Sequence, residues 1–200
     1  MALPEQMSFE RARLGLAMAA IAGLLMTCAA VQRGAYVGVQ LPEDVRIGRL
    51  VLYKDEHILE AWSGDTLVKT YSIAIGSGDE GPKLYEGDRR TPEGTYRIDS
   101  RHRSQRFRRF LHVSYPNATD RRRYREARRR GEVPEEAGIG GDIGIHGESD
   151  RAVVRMLGNG VDWTAGCIAV DDEDIDELYA AVVQNAVLEI HATRQNSDAP

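Results

Sequence analysis

Cysteine is nearly absent from this 200-residue chain, which holds only Cys28 and Cys167. It has no CxxC or HxxxH pair of the kind that supplies a tetrahedral metal site, and no GxSxG elbow for a serine hydrolase. Aromatic residues make up 6% and the net charge is −5, so composition gives no reason to expect nucleic acid as a partner. No internal repeat is visible. The apolar stretch Leu14–Met26 has 13 residues, short of the roughly 20 that a spanning helix needs. What the chain does have is 42% hydrophobic content, enough at this length for one good core but not for two domains.

The first thirty residues differ from the rest. Arg11 and Arg13 precede the apolar stretch, and the small residues Thr27, Cys28, Ala29 and Ala30 follow it. A charged segment, an apolar segment and a small-residue zone together make an export signal with a cleavage site. A retained signal anchor is the alternative, since the apolar character runs on to Val31. Leu25-Met26-Thr27-Cys28 also resembles a bacterial lipoprotein box in which Cys28 would be lipidated, with Thr27 where Gly, Ala or Ser is usual. The expected organisation is residues 1–30 as signal peptide or lipoprotein anchor, 31–47 as linker, 48–191 as one folded domain and 192–200 as tail. The expected location is the periplasm or cell envelope, with membrane contact through a lipidated or uncleaved N-terminus.

Strand signals follow. Leu50–Tyr53, Ile58–Trp62 and Leu67–Ile75 are rich in β-branched and aromatic residues, and Lys54-Asp55-Glu56 and Ser63-Gly64-Asp65 between them are turn material. Gly81 to Arg90 reads as an exposed loop. Further strands are expected at Gly94–Ile98, Phe110–Ser114, Ile143–His146, Cys167–Val170 and Val187–His191. A helix beginning at Asp171 or Asp172 would place Ile175, Leu178, Tyr179, Val182 and Val183 on one apolar stripe. The fold class that results is mainly β, a sandwich or open barrel with a few peripheral helices.

Between Arg101 and Arg130 stand twelve arginines against Asp120 and Glu126, a local balance of +10 in a chain of net −5. Asp120 can cap a helix running to Arg130 and stopped by Gly131. Such a run is ordinarily a solvated helical face. The functional alternative is a basic surface that meets anionic material such as phospholipid headgroups or cell-wall polymer.

Cys167 follows His146 by 21 residues. An unpaired thiol in an exported domain asks for a reason, although a small buried hydrophobe is a common fate of free cysteine. His146 ends one expected strand and Cys167 begins another, and side chains at neighbouring strand ends can converge on one cleft. An imidazole is the usual means of making a thiolate able to attack a carbonyl. Gly166 would leave the approach to sulfur open and let the amides of residues 165 to 167 face a developing oxyanion. A metal site built from His146, Glu148, Asp150 and Cys167 is the rival use of these residues, without supporting spacing.

The array His146-Gly147 followed by Trp163-Thr164-Ala165-Gly166-Cys167-Ile168-Ala169-Val170 resembles the signature of the L,D-transpeptidase catalytic domain, the YkuD family of bacterial cell-wall enzymes. Glu86–Ile98, "EGDRRTPEGTYRI", and Ser114–Asp120, "SYPNATD", resemble further family segments in the same order. The resemblance spans about residues 48 to 191. It implies a β-rich sandwich and a reaction through a Cys167 thioester with a peptidoglycan tetrapeptide stem. D-Alanine would be expelled and the acyl group passed to an amine, with no metal or organic cofactor. His146 would be the base, oriented by the Gly147 carbonyl, while Trp163, Thr164, Ala165 and Gly166 would line the substrate and oxyanion site. Many members have His where this chain has Ala165, and Arg where it has Ala169, positions that bear on substrate contact and acceptor choice. Hydrolysis of the same thioester, by an amidase or carboxypeptidase, is the alternative reaction. A non-catalytic wall-binding lipoprotein is the alternative of another class.

Overall fold

A computed structural model describes residues 40–148 and 161–194. The expected signal segment with Cys28, Asp150, and most of the linker and tail lie outside the described residues. Ten elements follow in chain order: β1 (Ile47–Tyr53), β2 (Ile58–Ser63), β3 (Thr66–Ser72), β4 (Gly94–Ser104), β5 (Arg108–Val113), α1 (Ala118–Arg129), β6 (Gly144–His146), β7 (Ile168–Ala169), α2 (Asp172–Ala181) and β8 (Val182–His191). The eight strands form one curled sheet in the order β3-β2-β1-β8-β4-β5-β6-β7. The mainly β, open-barrel expectation is met.

Three antiparallel strands from the first half of the chain, β1 to β3, pair through short turns. The last strand, β8, then inserts between β1 and β4, parallel to the first and antiparallel to the second. Ala186, Leu188 and Ile190 of β8 are buried on alternate positions, the period-two signature of a strand with one face in a core. β4 is the longest strand, and its two ends pair with different neighbours, β8 and β5. Beyond β3, Ala74 bridges Ala169 and Gly76 bridges Thr164, so two isolated bridges bring the ends of the curled sheet together without a continuous ladder.

Two helix boundaries differ from the sequence reading. Asn117, not Asp120, is the N-cap of α1: its side chain accepts from the amides of Thr119 and Asp120, while Asp120 Oδ2 accepts the Asn117 amide at 2.9 Å. This reciprocal capping box starts the helix at Ala118. Asp120 is only 2% exposed and also accepts from the Tyr96 hydroxyl at 3.0 Å, which pins α1 to β4. The helix α2 ends at Ala181, so Val182 and Val183 belong to β8. The β-branched run that continues the helical stripe is claimed by pairing with β1 and β4. Ile175 and Leu178 are fully buried, each contributing about 1.5–3 kcal/mol of apolar transfer that holds α2 on the sheet. Among the described residues no helix is long and apolar enough to cross a membrane.

Candidate active site

β6 and β7 lie parallel, with Ile145 opposite Ile168 and His146 opposite Ala169. Strand alternation sends Ile145 and Ile168 into the core, where both are fully buried. The same alternation puts His146 and Cys167, the residue preceding β7, on the opposite face together. The phenyl ring of Phe110 covers this face beside them: a Cβ on Gly144 would lie 2.2 Å from it, so only glycine fits there.

His146 is 1% exposed and boxed by rings, with Phe107 at 4.2 Å, Phe110 at 6.0 Å and Trp163 at 6.0 Å between centroids. Its Nδ1 lies 2.7 Å from the Gly147 carbonyl oxygen. That oxygen can only accept, so Nδ1 carries the proton and Nε2 is left as the basic nitrogen. Burial pushes the imidazole below its ordinary value; the Gly147 carbonyl pulls it up and the nearby Arg106 cation pushes it down again. Gly147 permits close packing of α2, since a Cβ there would meet Asp172 Oδ1 at 2.6 Å and Ile175 at 2.9 Å.

Cys167 is partly buried and free of any disulfide, and its Sγ lies 3.6 Å from the Asp142 carbonyl oxygen. Burial pushes its thiol up, while a hydrogen bond from the Gly144 backbone and the Lys83 cation favour the thiolate, and Asp142 opposes it. An imidazole held down and a thiol held up each favour the uncharged form of their group.

The turn that presents the sulfur is built by Thr164. Its buried hydroxyl donates to the Cys167 carbonyl at 2.7 Å and accepts the Gly166 amide at 3.1 Å. The Gly166 amide, expected to face an oxyanion, is thus engaged within the turn. Gly166 itself has φ +125°, and a Cβ on it would stand 2.8 Å from the Arg90 carbonyl oxygen. Ala165 is exposed and Trp163 partly buried. Thr164 also joins the β3 extension, donating its amide to the Ile75 carbonyl at 3.1 Å and accepting the Ser77 amide at 3.1 Å.

Several supporting residues carried no local signal. The segment Gly81 to Arg90 is not simply an exposed loop: Lys83 is 4% exposed and its ammonium lies 2.7 Å from Asp88 Oδ1. Burial pushes the Asp88 carboxyl up, but Lys83 and the amides of Leu84, Arg90 and Tyr85 more than offset it and hold the group below its usual range. Arg89 donates to the carbonyls of Trp163 and Thr164 at 3.1 and 3.3 Å. Its own carbonyl runs so close to Gly76 that a Cβ there would sit 2.0 Å from the oxygen. Thr91 of the Thr-Pro-Glu-Gly segment is 1% exposed and accepts the Gly76 amide at 2.9 Å, and Asp162 takes the Ile75 amide at 2.9 Å beside His57. The only available signal was the motif "GDRRTPEG" itself. Of the rival metal set, Asp150 lies outside the described residues, and among the described residues no three His, Cys, Asp or Glu side chains cluster as metal ligands.

The model of the L,D-transpeptidase catalytic domain, YkuD, matches residues 48–190. The chain belongs to the YkuD family. Among solved structures, this YkuD domain is similar to the helical cell shape determining protein Pgp2 from Campylobacter jejuni, with 20% identity and a TM-score of 0.52 over 76% of this chain and 50% of that one. Bd1075 from Bdellovibrio bacteriovorus follows at 18% identity and TM-score 0.49, covering 78% of this chain and 51% of that one. An L,D-transpeptidase from Xylanimonas cellulosilytica has 15% identity and TM-score 0.44, over 75% and 63%. The likeness to Pgp2 is one of fold, and the chain spans about half the length of the Pgp2 and Bd1075 chains. No curated protein matches the sequence significantly.

Proposed function

We propose that this chain is an exported peptidoglycan L,D-transpeptidase in which Cys167 carries the acyl group. One observation supports this reading above the others: His146, its Nδ1–H committed to Gly147, shares a strand face with the family-position cysteine. Nε2 takes the thiol proton as Sγ attacks the carbonyl that follows the L-centre of diaminopimelate in a tetrapeptide stem. The tetrahedral intermediate collapses with cleavage of the C–N bond, the imidazolium proton passes to the departing amine of D-alanine, and a thioester remains. An amine from a second stem attacks the thioester, gives its proton back through His146, and regenerates the thiol. With Gly166 N–H bonded to Thr164, the Cys167 amide is the donor assigned to the oxyanion, and Ala165 and Trp163 line the approach.

Hydrolysis is the second reading. It is favoured by Ala165 and Ala169, small residues at positions where the resemblance leads one to expect groups that touch substrate, with Ala169 only 3% exposed and paired with His146 across β6 and β7. Incubating the reduced protein with a disaccharide tetrapeptide, beside Cys167→Ala, and reading products by mass spectrometry separates the readings. A Cys167-dependent dimer or amine-exchanged product supports transfer. Release of D-alanine without an adduct means hydrolysis, and turnover that survives in Cys167→Ala would overturn both.

A further inference from the structure

Arg128 and Arg129 stand in the last turn of α1, where the helix dipole favours cations, but the exposed arginines before them have no such account. At 100° per residue, Arg121, Arg122, Arg125, Arg128 and Arg129 fall within about 120° of arc, opposite the buried Asp120 and Ala127. All five are exposed. Arg121 and Arg125, Arg125 and Arg129, Arg122 and Arg125, and Arg125 and Arg128 are like-charge neighbours three or four residues apart, each pair unfavourable to the helix. The neighbouring charges are used elsewhere: Arg123 pairs with Asp120 and Arg130 with Glu132. Arg128 donates to the Glu135 and Ala137 carbonyls, and Arg129 to the Arg125 carbonyl, contacts that hold the guanidinium groups without neutralising them. Among the described residues no carboxylate pairs with any of the five.

We infer that this face docks the domain on an anionic phospholipid surface. The face is convex and about 12 Å long between Arg121 and Arg129, and its five arginines spread over about 120° of arc, so a planar array of charges can meet more of them than a single linear chain, which would follow one row. A shallow hollow of about 550 Å³ between Arg125, Arg128 and Arg129 has room for a headgroup phosphate, which a guanidinium fork binds bidentately. A protein partner would need an apolar or aromatic centre to its interface. None is offered here, because Val161, the one exposed large hydrophobic among the described residues, lies in another part of the chain. Attachment is therefore electrostatic and reversible, independent of the acyl-transfer reading, and would hold the domain against a membrane face.

The test is sedimentation of the full chain with vesicles of phosphatidylcholine, with and without roughly one-third phosphatidylglycerol, at about 0.1 M and about 0.5 M salt. Binding to neutral vesicles gives the shared contribution of the N-terminal apolar segment. The anionic vesicles should bind more tightly at low salt, and the quadruple change Arg121→Gln, Arg122→Gln, Arg125→Gln, Arg129→Gln should erase that difference, at about fivefold per arginine and so by two orders of magnitude or more. The matching quadruple Lys variant keeps the charge without the bidentate fork and should retain most of the salt-sensitive preference for anionic vesicles, which separates loss of charge from loss of fold. Equal binding to neutral and anionic vesicles, or an unchanged Gln variant, would overturn the inference. A soluble polyphosphate that binds more tightly than vesicles, with the same dependence on the variants, would reassign the face to a linear polyanion.

Discussion

Replacing Thr164 by Val removes one hydroxyl and keeps the shape. In the parent, that hydroxyl bonds both the Gly166 amide and the Cys167 carbonyl, in a residue 3% exposed. The variant leaves two backbone groups unmatched in a place that water reaches poorly. Each such loss costs about 1–3 kcal/mol, and because the Cys167 carbonyl is only partly buried the pair should total about 2–4 kcal/mol. For a domain of this size that corresponds to a fall in melting temperature of roughly 5–15 °C. Thr164→Ser keeps both bonds and gives up one methyl, about 1 kcal/mol. The same hydroxyl holds the backbone that presents Cys167, so on the proposed mechanism turnover of the tetrapeptide by Thr164→Val, measured well below its melting temperature, should fall mainly in kcat, while Thr164→Ser stays near the parent. If Thr164→Val melts within about 1 kcal/mol of the parent, the turn is held by something other than these two bonds. The assignment of Thr164 as its builder would then be wrong.

His146→Ala should slow acylation of Cys167 by ~10²- to 10⁴-fold, read from single-turnover mass spectra; a parental rate would remove His146 from the role of base. Because burial holds the His146 pKa below 6.5, the unfolded chain binds a proton that the folded chain refuses as pH falls through 6.5. Stability should therefore decline between pH 6.5 and the lower folded value, and denaturant titrations of His146→Gln should show that part of the slope removed. Glu177 accepts from Lys69 at 2.6 Å, Tyr71 at 2.7 Å and the Leu41 amide at 2.6 Å, tying α2 to β3. Glu177→Ala leaves a buried ammonium with Asp174 at 3.4 Å and the Tyr71 ring at 4.9 Å, and should cost about 3 kcal/mol by urea unfolding, whereas a loss under 1 kcal/mol would mean that Asp174 takes over the pairing.

Much of the site was legible because it is written in local pattern. Ile143–His146 and Cys167–Val170 alternate or run apolar as strand ends do, and the two motifs stand in family order. The helix boundaries were less legible. Asn117 and Asp120 are both good capping residues, and only the reciprocal bond between them and the burial of Asp120 under Tyr96 decides which begins the helix. At the end of α2, Val182 continues the helical stripe as well as it starts a strand, and its partner Ile47 on β1 chooses between these.

By itself the sequence determined the order of the elements, the apolar faces and the family motifs that carry the proposed pair His146 and Cys167, because each is encoded within a few residues or in a motif. Only the tertiary structure decided which polar atoms are left for chemistry. The Gly166 amide is taken by Thr164, the proton of His146 is placed by Gly147, and Lys83 is drawn out of an apparently open loop to a buried partner beside the thiol. Two isolated bridges join Ala74 to Ala169 and Gly76 to Thr164 across some ninety residues of chain, with the backbone of Arg89 and Arg90 threaded against Gly76 and Gly166. Contacts of that range depend on shape and on the absence of a Cβ at particular points, and no periodicity along the chain carries that information.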